Sequence, residues 1–174
     1  MSAALRRLDP LLRTALVLLV AAVAFAGFAS WSWASAPRTL SAARTRDQAL
    51  RAGEQAVLNF NTLDYRHVGR GLRLWEHSST GALRHEVVVG QSLFAQQIEQ
   101  ARTITTARIL DAALTSLNDR AGRAGLIVAI QVTVTPSHGK PDTKLTRLAG
   151  QLTRTASGWK LSALSQAPVQ KVTS

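Results

Sequence analysis

The sequence predicts an α+β chain: a single N-terminal transmembrane helix, then helices packed on an antiparallel sheet of about four strands. Three observations predict it. From Thr14 to Ala36 the chain runs for 23 residues without a charge, and about 20 apolar residues in a helix span a hydrocarbon core. Residues 41–102 carry apolar positions at helical spacing, and residues 103–165 shift towards strand-like alternation and turn residues. Helices segregated in sequence before an antiparallel meander define an α+β domain.

Residues 1–13 read as a short cytoplasmic tail, and 14–36 as the membrane helix. Trp31 and Trp33 stand near its far end, where amphipathic rings favour the membrane–water interface. A cleaved signal peptide is the rival reading, because Ala34-Ser35-Ala36 has the small-x-small form of a cleavage site. The apolar run exceeds a usual h-region, and Pro37 would follow the cut, so a retained anchor is expected. Arg6, Arg7 and Arg13 precede the run and Arg38, Arg44, Arg46 and Arg51 follow it. That balance sets no orientation by charge. A short tail before a large domain suits a cytoplasmic N-terminus and an extracytoplasmic domain over 37–168, in the cell (inner) membrane.

Within that domain, Ala49, Ala52, Ala56, Phe60 and Leu63 recur on one face and predict a helix over Ser41–Leu63. Asp47 and Arg51 form an i,i+4 pair with the acid leading. His67–Ser79, with Gly69 and Gly71, reads as loop with a short helix near Leu72–Glu76. Leu83, Val87, Phe94 and Ile98 predict a helix over Ala82–Arg102, although Val87-Val88-Val89 pulls towards strand. Thr103–Leu117 fits strand or helix. Leu126, Val128, Ile130, Val132 and Val134 alternate with Gln131, Thr133 and Thr135 in the clearest strand. Leu145–Thr155 and Trp159–Leu164 complete the meander around a Ser157-Gly158 turn. Residues 169–174 read as a polar tail, and no internal repeat is visible.

The chain has no cysteine, which excludes disulfides, thiol nucleophiles and Cys-based zinc sites. Its net charge is +11, from 21 basic and 10 acidic residues. Anionic lipid, an acidic protein or nucleic acid could each answer that charge. No window clusters five or six Lys/Arg, and aromatics make up only 5% of residues. Nucleic acid is therefore the least favoured partner, and lipid proximity or solubility the more favoured.

Four residues stand out as candidates for an interface or pocket: Asp64, Tyr65, Trp75 and Asp111. Asp64 and Tyr65 at a helix end could supply a base and a hydrogen-bond donor to a pocket, or simply cap the helix. Asp111 lies in an otherwise uncharged stretch, as a buried acid or on a bulge or exposed face. Trp75, among Arg73, Glu76 and His77, reads either as an exposed anchor or as a cover on one end of the domain. Trp159 is expected in the core. His67, His77, His85 and His138 lack ligand spacing, Ser78-Ser79 lacks a partnered base, and Gly69-x-Gly71 lacks the context of a phosphate cradle. No catalytic residue, metal or cofactor is predicted, and the chain reads as a non-enzyme.

The layout resembles the Mce-associated ("mammalian cell entry") membrane proteins of actinobacterial lipid-import systems. The resemblance rests on the N-terminal span, on RDQALRAGEQAVLNFNTLDY running into Asp64-Tyr65, and on Thr80-Gly81 opening the next helix. The strand pairs and the closing Ser157-Gly158-Trp159-Lys160-Leu161 complete it. It covers residues 10 to 168, and the strongly basic balance departs from it. It implies a cone-shaped domain, with helices packed on a curved sheet, similar to nuclear transport factor 2 and ketosteroid isomerase, outside the cytoplasm, beside a lipid transporter. The expected function is therefore a non-enzymatic, single-pass accessory or scaffold subunit of an Mce-type envelope complex importing fatty acid or sterol. Its expected partners are the membrane, Mce transporter components or other envelope proteins, and anionic lipid. Two alternatives remain open at this point. One is a membrane-tethered hydrophobic-ligand carrier or isomerase-like enzyme, in which Asp64 or Asp111 would act. The other is an inner-membrane scaffold subunit of a secretion system.

Overall fold

The computed structural model describes residues 41–167. The expected span at 14–36, its cleavage after Ala36 and the tail at 169–174 lie outside the described residues. No described helix is long and apolar enough to cross a membrane. The chain divides into two units, Met1–Ala43 and Arg44–Ser174, and the architecture below is that of the second.

Helix α1 covers residues 41–61. Ala49, Ala56 and Val57 are buried, with Leu50, Ala52 and Phe60 packed beside them, so the small-residue face sits on the sheet as the periodicity requires. At Gly53 a Cβ would stand 2.7 Å from the Leu126 side chain and 3.1 Å from Leu152, so the helix approaches the sheet more closely there than alanine permits. The helix ends two residues earlier than expected. Leu63–Asp64 peel away as a two-residue strand, β1, paired with Thr105 and Ile104.

The region expected as loop with a short helix near Leu72–Glu76 is helical over most of its length. After a 3-10 turn at Tyr65–His67, α2 runs over Val68–Ser78. Two glycines would ordinarily cost such a helix about 1 kcal/mol each. Here Gly71 is buried against the Leu63 side chain, which occupies the space a Cβ would need. The single helix expected over 82–102 is instead two, α3 (Gly81–Val89) and α4 (Gln91–Ala101). The break falls at Gly90, against which the Phe94 ring packs. Val87-Val88-Val89 stay helical, with Val87 buried in the helix layer.

Four long strands follow: β2 (Thr103–Asn118), β3 (Arg123–Pro136), β4 (Asp142–Thr155) and β5 (Gly158–Gln166). The ambiguous 103–117 stretch is a strand because its whole length pairs with β3. The sheet is antiparallel in the order β1-β2-β3-β4-β5, five strands where about four were expected. Register breaks in β2 at Ile109/Asp111 and Leu114/Ser116 add the local twist that bulges impose on a sheet. The sheet curls, and the helices pack on one face of it. Leu126, Val128 and Ile130 of β3, Leu148 and Leu152 of β4, and Trp159 and Leu161 of β5 form the core with α1. Gly158, with φ of 101°, makes the predicted β4–β5 turn.

Candidate functional site

The end of α1 builds a charged corner. Asp64 accepts the Arg66 backbone N–H at 2.9 Å, capping the 3-10 turn. The Arg66 guanidinium closes on the same carboxylate through Nε at 3.0 Å and Nη2 at 2.8 Å. His67 Nδ1 stands 3.4 Å from Oδ2. The Arg66 side-chain hydrogen bonds, then its backbone N–H, hold the Asp64 carboxyl well below the usual carboxylate range. Asp64 borders an open hollow of about 310 Å³ with Leu63, His67, Arg70, Leu74 and Ile104. Tyr65, half-buried in the same turn, is not part of that lining. A general base works best with a pKa near the operating pH. An arginine-clamped, strongly acidic Asp64 has little proton affinity to offer, so this corner suits binding better than proton abstraction.

Trp75 joins three helices. Its Nε1–H donates to the Asn59 carbonyl of α1 at 2.8 Å. Its ring stacks on Phe60 with centroids 5.4 Å apart and meets Phe94 of α4 edge-on at 6.1 Å. It is half-buried and covers this end of the helix layer. Asp111 is exposed, beside the first β2 register break, and its Oδ1 accepts the neighbouring Ala112 N–H at 2.9 Å. The buried-acid alternative for Asp111 is therefore corrected: the bulge releases the side chain to the solvent face. Asp111 lies seven residues along β2 from Ile104, the partner of Asp64, roughly 20 Å at strand rise. The two acids do not share a pocket.

Two features escaped the sequence reading. Ser79, fully buried, donates its hydroxyl to the Trp75 carbonyl at 2.8 Å. The next residue, Thr80, donates its N–H to the Leu161 carbonyl at 2.8 Å and ties the helix layer to β5. The signal for it is the Ser78-Ser79-Thr80-Gly81 cluster between helical stretches. The second feature is the outer face of the sheet, where Leu110, Ile127 and Leu145 are exposed. Beside it lies an open hollow of about 540 Å³ lined by Leu110, Ala129, Leu145, Lys144 and Arg147 among others. Among the described residues no three His, Asp or Glu side chains are grouped to hold a metal.

Helices packed on one face of a curled antiparallel sheet define the class: an α+β domain with the nuclear transport factor 2-like and VirB8 fold. The chain belongs to the family described as "Uncharacterized protein Rv1363c/MT1408-like", whose model matches residues 11–168. A comparison with curated proteins gave no match. Among solved structures, the domain is similar to an IcmL-like type IV secretion system protein from Legionella pneumophila. The TM-score is 0.57 at 14% identity, over 72% of this chain and 94% of that one. The periplasmic domain of DotI follows at 0.55 and 16%, over 69% and 93%. The VirB8 protein of Agrobacterium tumefaciens matches at 0.51 and 11%, over 70% and 92%. At these identities the likeness is one of fold.

Proposed function

We propose that this protein is a non-enzymatic, single-pass scaffold subunit of an envelope-spanning machine, with its folded domain held outside the cytoplasm by the apolar run at 14–36. One observation carries the reading. The domain matches secretion-system domains over 92% to 94% of their length, and in this sequence it follows an apolar run long enough to span a bilayer. The candidate acids support a plain scaffold, since Asp64 is clamped by Arg66 and Asp111 faces solvent far from it.

The secretion-type assembly is the leading reading. Import of lipid beside an Mce-type transporter is the second, favoured by the sequence resemblance around RDQALRAGEQAVLNFNTLDY and Ser157–Leu161. Cross-linking of a tagged full-length chain in native membranes, followed by co-purification, separates them. Recovery of secretion ATPases or channel subunits supports the first, and recovery of lipid permeases with their substrate-binding subunits moves the protein to the second. Recovery of neither, with the chain present as a free monomer, overturns the scaffold reading.

A further inference from the structure

β4 outruns β5. Its pairing with β5 spans Leu148 to Thr155, and the last described bond is from Ala167 N–H to the Arg147 carbonyl at 2.9 Å. Asp142 to Thr146 continue β4 and pair with β3, with partners from Val134 to Ile130. Among the described residues no strand covers their other side. Strand backbone points its polar groups to alternate edges. With the Arg147 carbonyl on the β5 side, the N–H and C=O groups of Leu145 and Thr143 face that same uncovered edge.

The outer side of β5 meets the helix layer at Leu161, through Ser79 and Thr80, and the free stretches of β2 and β4 differ. Beyond its short pairing with β1, β2 also lacks an outer strand among the described residues, but its two register breaks blunt it, a usual protection against edge pairing. The β3–β4 register carries no break, so no bulge blunts the β4 edge. Leu145, on that edge, is 67% exposed and borders the 540 Å³ hollow with Leu110 and Ala129. The charged side chains of the hollow are Lys144 and Arg147. Neither makes an ion pair with a described residue. Asp142 begins the strand, and Asp111 stands across Ala129 from Arg147.

We propose that the Asp142–Arg147 edge accepts an extended segment of a partner protein as an added strand, apolar where it meets Leu145 and acidic where it meets Lys144 and Arg147. Main-chain bonds to Leu145 and Thr143 would supply affinity, and alternate side chains the selectivity, as in other strand additions. Charge decides the occupant. A second copy would bring another +11 and another Lys144 and Arg147 to the same edge, whereas an acidic segment is drawn in. The site stands independently of which envelope complex the protein joins.

The probe is a fluorescein-labelled octapeptide, Ser-Thr-Glu-Thr-Val-Glu-Thr-Ser, titrated against the full-length chain in nanodiscs and read by anisotropy. Added antiparallel, it sets valine opposite Leu145 and glutamate opposite Arg147 on the one face and opposite Lys144 on the other. Two control peptides carry N-methyl groups on alternate amides, or lysine in place of glutamate. Saturable binding is expected, weakened at least tenfold for each control. Leu145→Pro removes one outward N–H without touching the β3 ladder, because proline is tolerated on the open side of an edge strand. It should weaken binding tenfold or more at an unchanged melting temperature. Should that variant fail to fold, Leu145→Asp, a change at an exposed side chain, should give the same loss. No binding by the wild type, or equal binding of all three peptides, overturns the proposal. Self-association lost in Leu145→Pro would assign the edge to a second copy, and binding seen only after deletion of residues 168–174 would assign it to the chain's own end. Either result also overturns it.

Discussion

Asp64 shows how one residue's neighbours decide what it can do. Its pairing with Arg66 depresses its carboxyl pKa in the folded state. Such a group stabilises the fold fully above the unfolded carboxylate range, near pH 4, and the contribution falls away as pH drops through the lower folded value. Asp64→Asn should therefore lower the melting temperature at pH 7, and the gap to the wild type should narrow as pH falls from about 5 towards 2. Melting curves across that range check it; a gap independent of pH would refute the clamp. Trp75 makes a second residue-scale case. Trp75→Phe keeps a ring beside Phe60 but withdraws the donor to the Asn59 carbonyl, for about 1 kcal/mol. Trp75→Ala also loses the ring contacts and should cost about 3 kcal/mol by urea unfolding. The sequence made Asp64, Trp75 and Asp111 conspicuous, but their roles lay in reach. Arg66 folds back only because of the 3-10 turn, and Asp111 faces out only because β2 bulges beside it, and neither leaves a periodic trace.

At the scale of elements, strands were the more legible. The alternation from Leu126 to Val134 needs only the pattern of one face, and the structure buries Leu126, Val128 and Ile130 together. The helices after α1 were read less well because their exceptions are tertiary. Gly71 is helical where local propensity argues for loop, and it is Leu63, eight residues earlier, that makes a small residue necessary. Gly71→Ala should gain helix propensity yet lose stability, by about 1–2 kcal/mol overall, through collision with Leu63. Adding Leu63→Ala should make the pair non-additive, with part of that cost recovered, in a double-mutant cycle by denaturant unfolding. Arg102 gives the opposite sign. It closes α4 in the left-handed region at φ of 48°, where glycine is the usual helix-ending residue. Arg102→Gly should raise stability by about 1 kcal/mol in the same assay.

For the whole domain, the decisive fact is that helices and sheet share one core. Ala49, Ala56 and Val57 of α1 lie in the same buried cluster as Leu126, Leu152, Trp159 and Leu161, and Thr80 is hydrogen-bonded to β5. Arg154 adds a tie at the far end, bonding Asp119 at 2.6 Å in the β2–β3 turn while lying over the Trp159 ring. A layer that buries its apolar face only against the other cannot keep it buried alone, so the two should unfold as one unit. The chain supplies its own probes. Of its four tryptophans, Trp31 and Trp33 precede Pro37, so the chain from residue 37 onward keeps only Trp75 in the helix layer and Trp159 in the sheet core. Trp75→Phe and Trp159→Phe versions of that chain each report one layer by fluorescence, and circular dichroism reports the backbone of both. Within each version the fluorescence and circular-dichroism midpoints should coincide. Leu152→Ala, placed where Gly53 of α1 meets β4, should lower both layers together by about 2–5 kcal/mol. A Trp75 signal that melts before the Trp159 signal, or a Leu152→Ala effect confined to one of them, would show that α2 to α4 form a separate cooperative unit on the sheet.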